Sequence, residues 1–167
     1  VPYPVKEIKD CQLNIDFKTN FNFLQISMFG ARKNIEQGIR CFVEVFRENP
    51  DVGLVWKTNM SKSTIIDREK TKSKIGAFVN SLGEKKCKIY LLHGNLTEEQ
   101  VHSLYTNPKI KAYYTTTHGE GYGLPIFEAA YSGLPVLATN WSGHLDFLSA
   151  KHKLSLIHIS EPTRQLC

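Results

Sequence analysis

Apolar runs and turn residues succeed one another along this chain at near-regular intervals. Phe23-Leu24-Gln25-Ile26-Ser27-Met28-Phe29 reads as a strand ended by Gly30, and Ile35, Ile39, Phe42, Val43 and Phe46 then recur at helical spacing. That helix should stop before Asn49-Pro50, because the residue ahead of a proline is driven out of the helical region. Val52 to Trp56 predicts a second strand. Residues 61–82 predict a long helix with Ile65, Ile66, Ile75, Phe78, Val79 and Leu82 as its apolar positions, and Lys88 to Leu92 a third strand. Thr97-Glu98-Glu99-Gln100 starts another helix, Thr97 capping and Gln100 closing a capping box, with Val101, Leu104 and Tyr105 as its inner face. A fourth strand, Ile110 to Thr116, runs into a Gly-rich turn and a helix to about Ser132, and Pro135 to Thr139 predicts the fifth strand.

The strands read as continuous apolar runs instead of alternating ones, and the first four are each followed by a helix after a short loop. That order predicts an α/β, Rossmann-like parallel sheet with helices on both faces. Ligands of such sheets bind beyond the carboxyl ends of the strands. Arg32-Lys33, Lys57, His93, Glu120 and Thr139 to Ser142 are all expected at those ends. Residues 1–20 mix charges with Pro2 and Pro4 and read as a linker or the remnant of an upstream region, and residues 21–153 as the folded domain. Leu154-Ser155-Leu156-Ile157-His158-Ile159-Ser160-Glu161-Pro162-Thr163-Arg164 resembles a translated sequencing adapter, so residues 154–167 are expected to be a tail foreign to the fold. With no initial Met, the chain is expected to be cut at both ends.

Composition narrows the picture modestly. The 167 residues are 41% hydrophobic, enough for one sizeable core, and contain no apolar run of about 18 residues. The four cysteines are far apart, with neither a disulfide framework nor a zinc spacing, which points to reduced thiols and a cytoplasmic setting. Peripheral membrane association of a full-length form stays open. The net charge of +5 favours an anionic partner. Much of it comes from Lys57, Lys62, Arg68, Lys70, Lys72 and Lys74 and then Lys85, Lys86 and Lys88, but Asp67, Glu69 and Glu84 interrupt the run and no aromatics interleave, so it reads as a solvated helix face and not a nucleic-acid surface.

The candidate chemistry lies in Thr117-His118-Gly119-Glu120-Gly121-Tyr122-Gly123-Leu124-Pro125-Ile126-Phe127-Glu128. Strand, Gly-rich turn and helix is a geometry in which backbone N–H groups and the helix dipole collect an anion. Gly121, Gly123 and the first-turn amides are candidates for that contact. Glu120 stands in the loop and Glu128 about two turns into the helix, where both could face one polar ligand, since a carboxylate accepts from two vicinal hydroxyls. Other chemistries lack their partners. There is no G-x-S-x-G elbow for an ester hydrolase, no lysine completing a Walker motif, and no ligand spacing among His93, His102, His118 and His144, so no metal site is expected.

His118-Gly119-Glu120-Gly121-Tyr122-Gly123-Leu124-Pro125 through Glu128, with Gly133-Leu134-Pro135-Val136, resembles the C-terminal, donor-binding half of retaining glycosyltransferases of the two-domain Rossmann-like (GT-B) type, group 1 and family-4-like. The two glutamates match the family's pair, separated by seven residues. Arg32-Lys33-Asn34, Asn95 to Tyr105 and Asn140-Trp141-Ser142-Gly143-His144 extend the match over about Phe23 to Leu148. The resemblance implies a nucleotide-diphosphate sugar as donor substrate and no bound cofactor. It assigns Glu120 to hydroxyls of the transferred sugar and Glu128 to the nucleotide ribose. Lys33, with Arg32, falls to the diphosphate, and Gly119, Gly121, Tyr122, Gly123, Leu124, Lys57 and His118 to the remainder of the donor site. Where the family often has an arginine five positions before the lysine, this chain has Met28, and Arg32 or Lys57 would supply the second positive charge. The expected enzyme is a hexosyltransferase whose acceptor site lies in a missing N-terminal Rossmann-like domain, and the fragment alone is expected to transfer nothing. The rival reading is a non-catalytic nucleotide- or sugar-binding module of the same fold.

Overall fold

The computed structural model describes Ile8, Cys11, Leu13, residues 15–59 and residues 64–148. The expectations for residues 154–167 and for most of the first fourteen therefore lie outside the described residues. Phe17 and Thr19, in the segment read as a linker, are buried, and Phe17 packs edge-on against Tyr90 with ring centroids 5.3 Å apart.

Five strands form one parallel sheet: β1 (Phe21–Ile26), β2 (Val52–Thr58), β3 (Lys88–His93), β4 (Ile110–Tyr114) and β5 (Val136–Leu137), in the order β3-β2-β1-β4-β5. Between them run α1 (Ile35–Phe46), α2 (Ile65–Ser81), α3 (Glu98–Tyr105) and α4 (Leu124–Tyr131), with 3-10 turns at Ala31–Lys33 and Gly143–Asp146. Leu24 pairs with Val55 on one side and Tyr113 on the other, so the register places three large side chains in one layer of the core. Between Asn22 and Phe23 the β1–β4 register shifts, so Asn22 faces Ile110 while Phe23 faces Ala112. Asn22 is fully buried at that irregularity and donates from Nδ2 to the carbonyls of Thr19 (3.0 Å) and Lys109 (2.9 Å).

Both faces of the sheet are covered. Leu24, Val55 and Tyr113 pack with Leu104, Tyr105, Ile126 and Ala129 beneath α3 and α4. Phe23, Leu54, Trp56, Ala112 and Tyr114 pack with Ile35, Ile39, Phe42 and Ile75 beneath α1 and α2. Each fully buried Leu or Ile here is worth about 1.5–3 kcal/mol of transfer free energy, which explains why the strands are apolar in both directions.

The capping box of α3 forms as expected, Thr97 Oγ1 accepting from Gln100 N and Gln100 Oε1 accepting from Thr97 N. Not all apolar positions of α2 face the core. Ile65 and Ile66 are 73% and 69% exposed, whereas Asp67, Thr71 and Ile75 are buried. Buried polar groups on this helix have local partners. Thr71 Oγ1 donates to Asp67 O (2.8 Å), and the Asp67 carboxylate meets His93 Nε2 at 3.0 Å, so two polar side chains occupy places where periodicity expects isoleucine. The first strand is also displaced: it starts at Phe21 and ends at Ile26, leaving Met28 and Phe29 in the loop.

Candidate functional site

The sheet order reverses between β1 and β4, so the segments leaving those strands diverge to opposite faces and open a crevice at their carboxyl ends. Three loops meet there. The loop after β1 carries Arg32 and Lys33, that after β4 carries Thr117 to Gly123, and that after β5 carries Thr139 to Gly143. Asn34, in the left-handed conformation (φ 50°), turns the chain from the basic pair into α1, a conformation Asn tolerates better than most side chains.

Lys33 and Arg32 converge on Glu120. Lys33 Nζ lies 2.5 Å from Oε1 and Arg32 Nη1 lies 3.0 Å from Oε2, while the same guanidinium nitrogen donates to Gly119 O. Main-chain bonds reinforce the junction, with Arg32 O accepting from His118 N (2.8 Å) and Thr117 Oγ1 (3.2 Å). The Glu120 side chain is only 11% exposed. Burial pushes its pKa up, but hydrogen bonds from Lys33 and Arg32 outweigh that effect and hold the carboxyl below its ordinary value.

A clasp from the third loop fixes the backbone of Glu120. Its N–H donates to Ser142 Oγ (2.9 Å), the Ser142 hydroxyl and the Gly143 N–H reach Glu120 O (2.9 and 3.1 Å), and the two loops touch. A Cβ at Gly143 would fall 1.9 Å from Gly121 O, so only glycine admits this approach. Ser142 itself takes φ 89°, a strained conformation for a residue with a side chain.

Glu128 sits little more than one turn into α4, closer to the helix mouth than two turns, and accepts a hydrogen bond from Tyr105 Oη at 3.1 Å. Burial raises its pKa and Tyr105 opposes that rise. Both glutamates stand near the fully buried phenol of Tyr113, whose pKa burial raises first and the two carboxylates raise further. The pair thus borders one region, although each has a partner of its own. At the mouth of α4, Pro125 brings no N–H, and the amides of Ile126 and Phe127 both donate to Gly123 O at 2.9 Å. An anion there would meet the amides ahead of Pro125, and Gly123 permits the turn by its positive φ of 86°.

The other expected residues separate. The His118 side chain is exposed at the rim, as is Leu124. The Tyr122 ring is packed between Phe127 and Phe147, with centroids 5.7 and 5.0 Å away, so it braces the Gly-rich loop from below. Lys57, expected beyond the second strand, lies inside β2 between Ile26 and Leu92. Burial lowers its pKa, and among the described residues it makes no ion pair with either glutamate. Met28 is 57% exposed and supplies no charge. Tyr105 and Ser142 act at the site in ways that apolar periodicity and a short turn hide: Tyr105 scores as an inward helix residue, and the hydroxyl of Ser142 gains its task only when two loops distant in sequence meet. Among the described residues, no three His, Cys, Asp or Glu side chains are grouped to hold a metal ion.

A Rossmann-like α/β domain with a charged crevice at its topological switch point is the class that this fold and geometry define. The chain belongs to the glycosyl transferases group 1 family, whose profile matches residues 12–163. No curated protein sequence matches it. Solved structures share the fold. The C-terminal domain of a group 1 glycosyl transferase (LpcC) from Francisella tularensis is 18% identical with a TM-score of 0.58, over 84% of this chain and 68% of that one. A protein of E. coli described as trehalose-6-phosphate, bound with UDP-2-fluoro glucose, is 10% identical with a TM-score of 0.58, over 77% of this chain and 31% of that one. HepE of Anabaena in complex with UDP-glucose is 15% identical with a TM-score of 0.57, over 84% of this chain and 35% of that one. The chain therefore spans about a third of the length of two of these, at 31% and 35%.

Proposed function

We propose that this domain binds a nucleotide-diphosphate sugar at the β1–β4 crevice and, within a full-length protein, supports transfer of the sugar with retention to an acceptor held by another domain. The observation that carries this reading is the convergence of Lys33 and Arg32 on Glu120 at the switch point. Two cations and a carboxylate match a ligand that is anionic at one end and rich in hydroxyls at the other. On donor binding the diphosphate takes the cations, and the freed carboxylate of Glu120 accepts from sugar hydroxyls. Glu128, steadied by Tyr105, accepts from the ribose.

Chemistry then requires cleavage of the bond between the anomeric carbon and the phosphate oxygen, the electron pair remaining on the diphosphate. Lys33, Arg32 and the amides ahead of Pro125 stabilise that growing charge. The acceptor oxygen bonds to the anomeric carbon on the face the diphosphate leaves, and its proton passes to the departing phosphate oxygen. A second reading, a binding module without chemistry, is favoured by Met28, which leaves one expected cation absent. Titrating UDP, GDP and their sugars into full-length protein, alongside a sugar-release assay, tests both. Binding with turnover supports the transferase, binding without turnover supports the module, and absence of binding defeats both. A cytoplasmic setting is part of this reading, supported by cysteines spaced too widely for a disulfide framework, and among the described residues no helix is long and apolar enough to cross a membrane.

A further inference from the structure

The loop after β5 carries an indole to which the donor reading gives no task. Trp141 is 47% exposed, while the chain's other tryptophan, Trp56, is fully buried. A Cβ at Gly119 would lie 3.9 Å from Trp141 Cζ2, so the ring stands beside the main chain immediately ahead of Glu120. Its position is held from both sides. Trp141 N donates to Thr139 O at 2.9 Å, and the following residue is Ser142, whose hydroxyl grips both backbone polar groups of Glu120 while its own φ is 89°. Strain of that kind persists only where the surroundings impose it, and here it fixes the main chain that carries Trp141 against the main chain of Glu120.

A flat apolar surface beside the loop that carries a largely buried carboxylate has a natural complement. One face of a pyranose ring is lined with C–H groups, apolar and slightly positive, which pack well on the electron-rich face of an aromatic ring. The hydroxyls on the ring's edge meanwhile supply the donors that a carboxylate needs. Exposed tryptophan surface is unfavourable in water, and covering it with a C–H face recovers that free energy without any charge.

We propose that Trp141 is a sugar-stacking residue, its indole covering the C–H face of a pyranose ring whose hydroxyls reach Glu120. The proposal rests on the donor reading of the crevice. The ring is either the sugar being transferred or the acceptor ring next to it, two sources with the same chemistry.

The test uses full-length wild type, Trp141→Ala and Trp141→Phe, with UDP, UDP-glucose, GDP and GDP-mannose titrated by calorimetry. Methyl α-D-glucopyranoside is then titrated into the UDP-saturated proteins. For a transferred sugar, Trp141→Ala weakens the nucleotide sugar by roughly three- to tenfold, leaves the bare nucleotide unchanged, and Trp141→Phe recovers most of the loss. For an acceptor ring, only the glucoside affinity falls. Either pattern supports the proposal. If Trp141→Ala binds all sugars as wild type does, or loses bare nucleotide and nucleotide sugar equally, stacking is overturned while the donor reading stands. If wild type binds neither nucleotides nor their sugars, the donor reading and this proposal fall together. Thermal unfolding of each variant separates loss of binding from loss of fold.

Discussion

Lys33 and Glu120 carry the sharpest expectations because the proposed function sets one against leaving-group charge and the other against sugar hydroxyls. If the Lys33 ammonium meets charge that grows as the sugar–phosphate bond breaks, Lys33→Ala in full-length protein lowers kcat more than it weakens donor binding. The expected loss is about 2–4 kcal/mol in the barrier, of which Arg32, 3.0 Å from the same carboxylate, can recover a part. Turnover measured beside calorimetric affinity checks this, and a mutant with wild-type kcat and poor affinity would make Lys33 a docking group only. Glu120→Gln is expected to cut turnover at least about tenfold, because an amide replaces a charged acceptor with a weaker one and brings donors of its own. Unchanged turnover in a folded mutant would remove Glu120 from the sugar site.

At the scale of elements, the contact between the loops after β4 and β5 is the feature most open to a single methyl group. Gly143→Ala puts a Cβ 1.9 Å from Gly121 O and must part the loops, whereas a Cβ at Gly121 meets nothing within 4 Å. Gly143→Ala is therefore expected to cost about 1–3 kcal/mol and to weaken donor binding, and Gly121→Ala to leave stability nearly unchanged, as unfolding curves of the pair would show. Thr97→Ala removes one half of the α3 capping box and is expected to cost about 1 kcal/mol.

The same scale shows what the sequence made legible. Element order, the α3 cap and the placement of Arg32, Lys33 and Glu120 at strand ends followed from periodicity and turn residues, because each is a local matter. Ile65 and Ile66 did not fall inward, since Thr64 caps α2 and turns Asp67 and Thr71 toward the sheet, where Asp67 meets His93 of β3. The end of β2 was set early, at Trp56 instead of Thr58, so Lys57 lies within the strand opposite Ile26, at the carboxyl edge of the sheet where it was expected. Ser142 was legible as a strand-end residue, but its bond to Glu120, like that of Tyr105 to Glu128, was not, because only the packed sheet brings these partners together.

For the whole molecule, the two glutamates pull stability in opposite directions as pH changes. Glu120 has a lowered folded pKa, so its contribution is present above the ordinary carboxyl value of 4.5 and is lost as pH falls through the folded value. Glu128 has a raised folded pKa, so its charge costs stability at neutral pH, and the cost is relieved as pH falls through that value toward 4.5. Thermal unfolding from pH 7 downward, on a scale that brackets the ordinary carboxyl value of 4.5, should show Glu120→Gln less stable at neutrality and converging on wild type in acid. Glu128→Gln should match or exceed wild type at neutrality, because Tyr105 can still donate to the amide oxygen. A Glu120→Gln curve parallel to wild type throughout would show the ion triad to be energetically idle.

That triad also sets the terms on which anything enters. With Glu120 already seated between Lys33 and Arg32, the resting crevice supplies its own counterion, and an arriving phosphate must displace a tenant instead of occupying a vacant seat. A lone phosphate can evict the carboxylate but offers it no new partner, whereas a molecule carrying hydroxyls beside its phosphates rehouses it. On the proposed function the exchange favours only the ligand that brings both ends, and departure of the sugar would free the carboxylate to return and help push the spent nucleotide out.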